Sequence, residues 1–204
     1  MLLNTQKINA LTIQQSVKQN AAIKKASVEP ESFIEHESLP SAFVAVSDVI
    51  VTKAIGAIQP DRNIHYYSYG NFNLVRLILY ILKQTGPANV FLSSYSFSSK
   101  SITQIINLLE KRQMLSFKVL LDNRVKSISP KPFQMISTSL DYRCTSIHAK
   151  TALIWNDKWN ITVVTSQNAT DNPKIERGII FTDKEVFNFD FKILHDEFYK
   201  NNNT

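Results

Sequence analysis

Ser146-Ile-His-Ala-Lys-Thr-Ala-Leu-Ile-Trp155 sets a polar start against an apolar, β-prone end, and Ile161-Thr-Val-Val-Thr-Ser-Gln-Asn168 repeats the pattern in mirror order. Between them, Asn156-Asp-Lys-Trp-Asn160 is polar enough for a hairpin reversal. Two strands joined by a turn are the expectation. His148 and Lys150 are two apart in what reads as strand, so both side chains leave one face while Ala149 and Thr151 leave the other. Ser166 and Asn168 share the same spacing at the end of the second run. The hairpin thus offers a nucleophile, a cation and two hydrogen-bonding groups that could converge on one oxyanion. Glu176-Arg-Gly-Ile-Ile180 follows, an acidic residue entering a third β-prone run.

This order of residues resembles the HKD motif of the phospholipase D superfamily, whose usual form is HxK, four residues, Asp, six residues, then Gly-Ser-x-Asn. His148-x-Lys150 and Thr165-Ser166-x-Asn168 match it, with Thr in place of Gly. The family's Asp would fall at Trp155, and the Ser and Asn arrive three residues late, which suits a lengthened hairpin with Asp157 as a displaced counterpart. The resemblance extends over roughly residues 68–200. It takes in a strand within 88–97, a helix at 101–112, a strand at 117–122, the acidic Glu176, and a strand at 179–181.

The resemblance implies an α/β sandwich with a mixed sheet covered by helices. The alternation of helical and β-prone segments points to the same class. It further implies a phosphodiesterase, a nuclease acting on DNA or RNA, with His148, Lys150, Ser166, Asn168 and Glu176 as catalytic residues. His148 would form a phosphohistidine, Lys150 and Asn168 would hold the phosphate, Ser166 would add a hydroxyl and Glu176 would orient a histidine. No cofactor and no metal are implied, and the remaining histidines, His36, His65 and His195, are scattered along the chain. The family's site uses two such motifs and this chain carries one, so a homodimer with a shared site is expected. A catalytically inactive nucleic-acid-binding relative and a phospholipase-type enzyme remain as alternatives.

The chain has 204 residues, 44% of them hydrophobic, and a formal charge of +6, with pI near 9.3. That length supports one sizeable core, and the charge favours a polyanionic partner. Lys126, Lys131 and Arg143, in what reads as a loop before the motif, are candidate phosphate-backbone contacts. The aromatic run His65-Tyr-Tyr-Ser-Tyr69 could stack bases or simply pack inside. The lone Cys144 fits a reducing compartment and reads as a small buried apolar residue. No stretch reaches the length of about 20 apolar residues that spans a bilayer, and the start carries no signal-peptide pattern, so a cytoplasmic protein without stable membrane association is expected.

Residues 1–40 read as an arm, with a weak helical stripe over 5–26 and an acidic patch closed by Pro40, ahead of one domain over 41–204. Residues 43–58 suggest one or two strands. Helices are expected from Leu74, Leu77, Ile78 and Ile81, from Ile102, Ile105, Ile106 and Leu109, and over 184–200 with Val186, Phe189, Ile193, Leu194 and Phe198 inward. Gly86-Pro87 should stop the first of them.

Overall fold

In chain order the elements are β1 (Glu31–His36), β2 (Leu39–Ala45), α1 (Val51–Ile55), β3 (Asn63–Tyr67), α2 (Leu74–Thr85), β4 (Ala88–Ser94), α3 (Ser99–Glu110), β5 (Met114–Asp122), α4 (Val125–Ile128), α5 (Pro130–Ser139), β6 (Asp141–Thr145), β7 (Thr151–Trp155), β8 (Asn160–Thr165), β9 (Arg177–Phe181) and α6 (Lys184–Tyr199). This is a computed structural model, and it describes residues 31–36, 39–45 and 51–200. The stripe over 5–26 lies outside the described residues.

The strands form one mixed sheet in the order β2-β1-β3-β9-β8-β7-β4-β5-β6. β4, β5 and β6 run parallel, and their crossovers carry helices, as parallel neighbours require. All other neighbours are antiparallel. Period-two alternation sorts side chains between the faces. Val90, Leu92, Val119, Leu121, Ala152, Ile154, Ile161, Val163 and Ile180 join the main core with the buried faces of α2 and α3. Phe91, Leu120 and Leu153 point the other way and meet Phe187, Leu194 and Phe198 of α6. The fold class is therefore the expected α/β arrangement, a mixed sheet with helices on both faces.

The expected stop of α2 holds, while the starts of α2 and α3 are set by caps that the sequence reading did not name, α3 beginning at Ser99 rather than 101. Asn73 caps α2 by accepting from Arg76 N at 3.0 Å, Ser98 caps α3, and Gly86 at φ 81° ends α2. Five expectations need correction. Residues 51–55 form a helix, so the Val- and Ile-rich run is one strand followed by α1. The expected basic loop is two short helices and a strand, which place Lys126 on α4, Lys131 on α5 and Arg143 inside β6. On α6 the inward residues are Phe187, Leu194 and Phe198, while Phe189 and Ile193 are 68% and 53% exposed. The aromatic residues of 184–200 outnumber one helical face, so periodicity left two phases and packing chose between them. Finally, His148 and Lys150 precede β7 and lie in irregular backbone. Cys144, too, is only half-buried in β6.

One end of the sheet collects the C-terminal ends of β4, β5, β6 and β8 and the N-terminal ends of β7 and β9. The far end holds the 156–160 reversal, where Trp155 pairs with Asn160.

Candidate active site

His148, Ala149, Lys150 and Thr151 from the approach to β7 line an open depression of about 500 Å³ with Val164, Thr165, Ser166 and Asn168 from the exit of β8. The hairpin's hydrogen bonding brings these segments together, since Thr165 N donates to Lys150 O at 3.0 Å. His148 is exposed. Lys150 is 9% exposed, its stem packed down while its ammonium donates to His148 O at 2.8 Å and lies 3.3 and 3.4 Å from the two ring nitrogens. Although the segment is not strand, the two side chains do share one side. Burial holds the Lys150 ammonium below the ordinary lysine range, and the charges of Glu176 and Asp122 pull the other way.

The second half of the depression is pinned by its neighbours. Ser166 Oγ donates to a Glu176 carboxylate oxygen and accepts from Arg177 N at 3.1 Å. The other Glu176 oxygen accepts from Asn172 Nδ2 at 2.6 Å. Within the chain, Glu176 thus fixes Ser166 rather than the histidine. Asn168 Oδ1 accepts from Tyr95 N at 3.3 Å, which leaves its amide hydrogens as the donors for an anion.

Beneath the loop, Gln167 is 3% exposed. Its Oε1 accepts from Tyr66 OH at 2.8 Å and its Nε2 donates to Phe72 O at 2.6 Å. Tyr66 faces Gly178 across β3 and β9, and a Cβ there would come within 2.3 Å of the phenol oxygen. Gly178 is therefore what lets the Tyr66 ring cross the strand and reach the loop, a close approach only glycine permits. Burial also pushes the Tyr66 hydroxyl far above its ordinary pKa, so it serves as a neutral donor. Tyr66 of the aromatic run packs inside, and Tyr67 is 40% exposed.

Sequence reading missed a group at the C-terminal ends of β4 and β5. Arg124 Nε and Nη2 donate to Asp122 Oδ1 and Oδ2 at 2.7 and 3.2 Å, and Arg124 N adds a 2.9 Å bond to Oδ1. Hydrogen bonding from Arg124, reinforced by its charge and opposed by burial, holds the Asp122 carboxyl below its usual range. The guanidinium carbon lies 4.9 Å from the Tyr95 ring centre, whose ring centre is 5.5 Å from that of His148. Lys150 Nζ lies 5.9 Å from the same ring. A usable signal existed, because charged residues just past the C-terminal end of a parallel strand sit where open α/β sheets bind ligands.

Other expected residues lie apart from the depression. Lys126 Nζ stands 5.7 Å from the Phe133 ring, Lys131 is exposed at the start of α5, and Arg143 Nη1 donates to Phe198 O at 2.9 Å. Asp157 lies in the far turn. His195 stacks between Phe191 and Tyr199 on α6. Among the described residues no group of three or more His, Cys, Asp or Glu side chains is placed to hold a metal ion, and no helix is long and apolar enough to cross a membrane.

No family model matches the sequence, and no curated protein does. Solved structures similar to the chain include a polyphosphate kinase from Porphyromonas gingivalis, at 14% identity and TM-score 0.49 over 65% of this chain and 26% of that one. TrmBL2, an archaeal chromatin protein with a novel mode of DNA binding, aligns at 10% identity and TM-score 0.45 over 96% of this chain and 62% of its own. A phosphatidylserine synthase from Haemophilus influenzae aligns at 12% and 0.43, over 78% and 42%. The chain spans between about a quarter and three fifths of these proteins. Likeness at this level carries no function across.

Proposed function

We propose that this chain is a phosphoryl-transfer enzyme that cleaves phosphodiesters in nucleic acid, with His148 as nucleophile at a site shared by two copies. The observation that carries the reading is the placement of an exposed imidazole beside the Lys150 ammonium, opposite Ser166 and Asn168, around one open depression. An unprotonated ring nitrogen of His148 attacks phosphorus as the P–O bond to the leaving group breaks. The leaving oxygen takes its proton from the partner subunit's His148, and the charge on the non-bridging oxygens meets Lys150 and the Asn168 amide. Water then attacks the phosphohistidine, giving its proton to the second imidazole and restoring the first. One histidine per chain supplies either the nucleophile or the acid, so the reading calls for two copies. Two paired charges per site leave no role that demands a metal ion.

Purified protein in EDTA, given labelled single- and double-stranded DNA and RNA, tests this. Cleavage should occur, an acid-labile phosphoryl group should be trapped on His148, and light scattering should give twice the 23.3 kDa chain mass. Cleavage that depends strictly on added magnesium or manganese, or a monomer that stays active at high dilution, would overturn it.

A further inference from the structure

Arg124 has no part in the reaction just described, yet nothing about its placement is casual. Asp122 is 5% exposed, and it is fixed at the end of β5 by a backbone bond as well as by two side-chain bonds to Arg124. A two-point carboxylate clamp holds a guanidinium in one orientation at little further entropic cost. The clamp uses Nε and Nη2, which leaves the Nη1 end to face outward on a side chain that is 62% exposed. The cation is laid on the Tyr95 ring, and that same ring borders His148 and Lys150. Arg124 and His148 thus border the same ring, 4.9 and 5.5 Å from its centre, while neither Arg124 nor Tyr95 lines the depression itself, a placement that suits the next charge along a strand.

We infer that Arg124 is a substrate-binding residue that grips the phosphate adjacent to the scissile one, with Asp122 as its positioning residue and Tyr95 as the wall between the two phosphates. The inference rests on the phosphodiesterase reading and narrows it to substrates with neighbouring phosphates, a nucleic-acid strand rather than an isolated diester such as a lipid head group. A lone point charge would not need this support. An arginine that only stabilised the fold would not need to keep one end unpaired and exposed.

The test compares a thymidine oligonucleotide with bis(p-nitrophenyl) phosphate, a diester that has no neighbouring phosphate. Arg124→Met should raise KM for the oligonucleotide by about 10- to 100-fold, the worth of one charge-assisted contact, with kcat little changed. The same variant should handle the small diester within about twofold of the parent, since that substrate has no neighbouring phosphate for Arg124 to hold. Arg124→Lys should recover only part of the oligonucleotide KM, because a point charge replaces a fork. Asp122→Asn should show the same KM-weighted defect in milder form. Equal losses on both substrates, or none on either, overturn the inference. If the parent protein cleaves neither substrate, fluorescence anisotropy of a labelled thymidine oligonucleotide on the His148→Ala chain separates the failures. Affinity that falls about 10-fold on adding Arg124→Met keeps the contact and sinks the enzyme, whereas affinity indifferent to Arg124, or no binding at all, sinks the contact as well.

Discussion

The two ends of the β7–β8 hairpin lie roughly 14 Å apart by strand rise, and they are made of opposite chemistry. At the turn, the Asn156 side chain is spent entirely on holding the chain. Asn156 Oδ1 accepts from Lys158 N and Trp159 N, both at 3.0 Å, and its Nδ2 donates to Thr85 O and Pro87 O, both at 3.1 Å. Trp155 lies against Phe187 and Phe191, with ring centres 5.8 and 5.4 Å away. At the open end, an exposed imidazole, a buried lysine stem and two polar side chains border a depression instead. The difference bears on Trp155, where the sequence resemblance would place Asp. That position belongs to the end that holds the fold, so an aromatic packed on α6 can stand there without touching the group around His148.

The largest effect should come from the open end. His148→Ala is expected to lower kcat by about four orders of magnitude or more and to leave the melting temperature where it was, because the side chain is exposed and off the core. A variant that cleaves at near-parent rate would move the chemistry elsewhere, with His65 and His195 the next to examine.

The turn end should behave in reverse. Trp155→Ala is expected to cost about 2–4 kcal/mol of stability by denaturant titration, with kcat of the folded fraction unchanged. Trp155→Asp sharpens this further, since it introduces the carboxylate that the resemblance would place at this position. It should lose at least as much stability, by setting a carboxylate among Phe187 and Phe191, and gain no activity. A faster Trp155→Asp enzyme would break the comparison.

The same contrast accounts for what could be read in the sequence. His148, Lys150, Ser166 and Asn168 were legible because close spacing places residues before any tertiary contact acts, and the hairpin did the rest. The stop at Gly86 was legible for the same local reason, whereas the caps at Asn73 and Ser98 were not read, and α3 begins at Ser99, ahead of the expected 101. Asp122, Arg124 and Tyr95 were not legible, because they approach the depression only through the strand order β7-β4-β5, which no local pattern encodes. The phase of α6 failed in a related way: its many aromatic residues offered two apolar faces, and only the Phe91, Leu120 and Leu153 surface selected one. Residues 51–55 show the limit of β-propensity in a short apolar run, where tertiary packing outweighs preference.

Between the two ends, Tyr66 ties the site loop to the core, so its effect should be intermediate. Tyr66→Phe leaves the ring against Gly178 and removes only the hydroxyl that donates to Gln167 and Thr165. Leaving buried Gln167 Oε1 without that donor should cost about 1–2 kcal/mol. Because Gln167 lies between Ser166 and Asn168, kcat should fall as well, by a few-fold. Lost stability with full activity would mean that the loop keeps its shape without the phenol.

The smallest effect is a displacement along the pH axis. In the proposed reaction Lys150 meets phosphate as an ammonium, and burial lowers its pKa from the ordinary 10.5 despite the opposing pull of Glu176 and Asp122. Activity should therefore decline on the alkaline side before an unperturbed lysine would titrate. Stability must shift the other way. Between the lowered pKa and 10.5 the unfolded chain holds the Lys150 proton more tightly than the folded one, so this residue's contribution to stability rises with pH across that window. Other lysines and tyrosines titrate nearby, and Lys150→Met isolates the residue: the stability difference between parent and variant should move in the parent's favour as pH climbs through the window, while parent kcat/KM falls. Lys150→Arg, which stays cationic, should remove the alkaline decline from whatever activity it retains. An alkaline limb that stays in place in Lys150→Arg would assign the titration to another group and leave Lys150 as a packing residue beside the histidine.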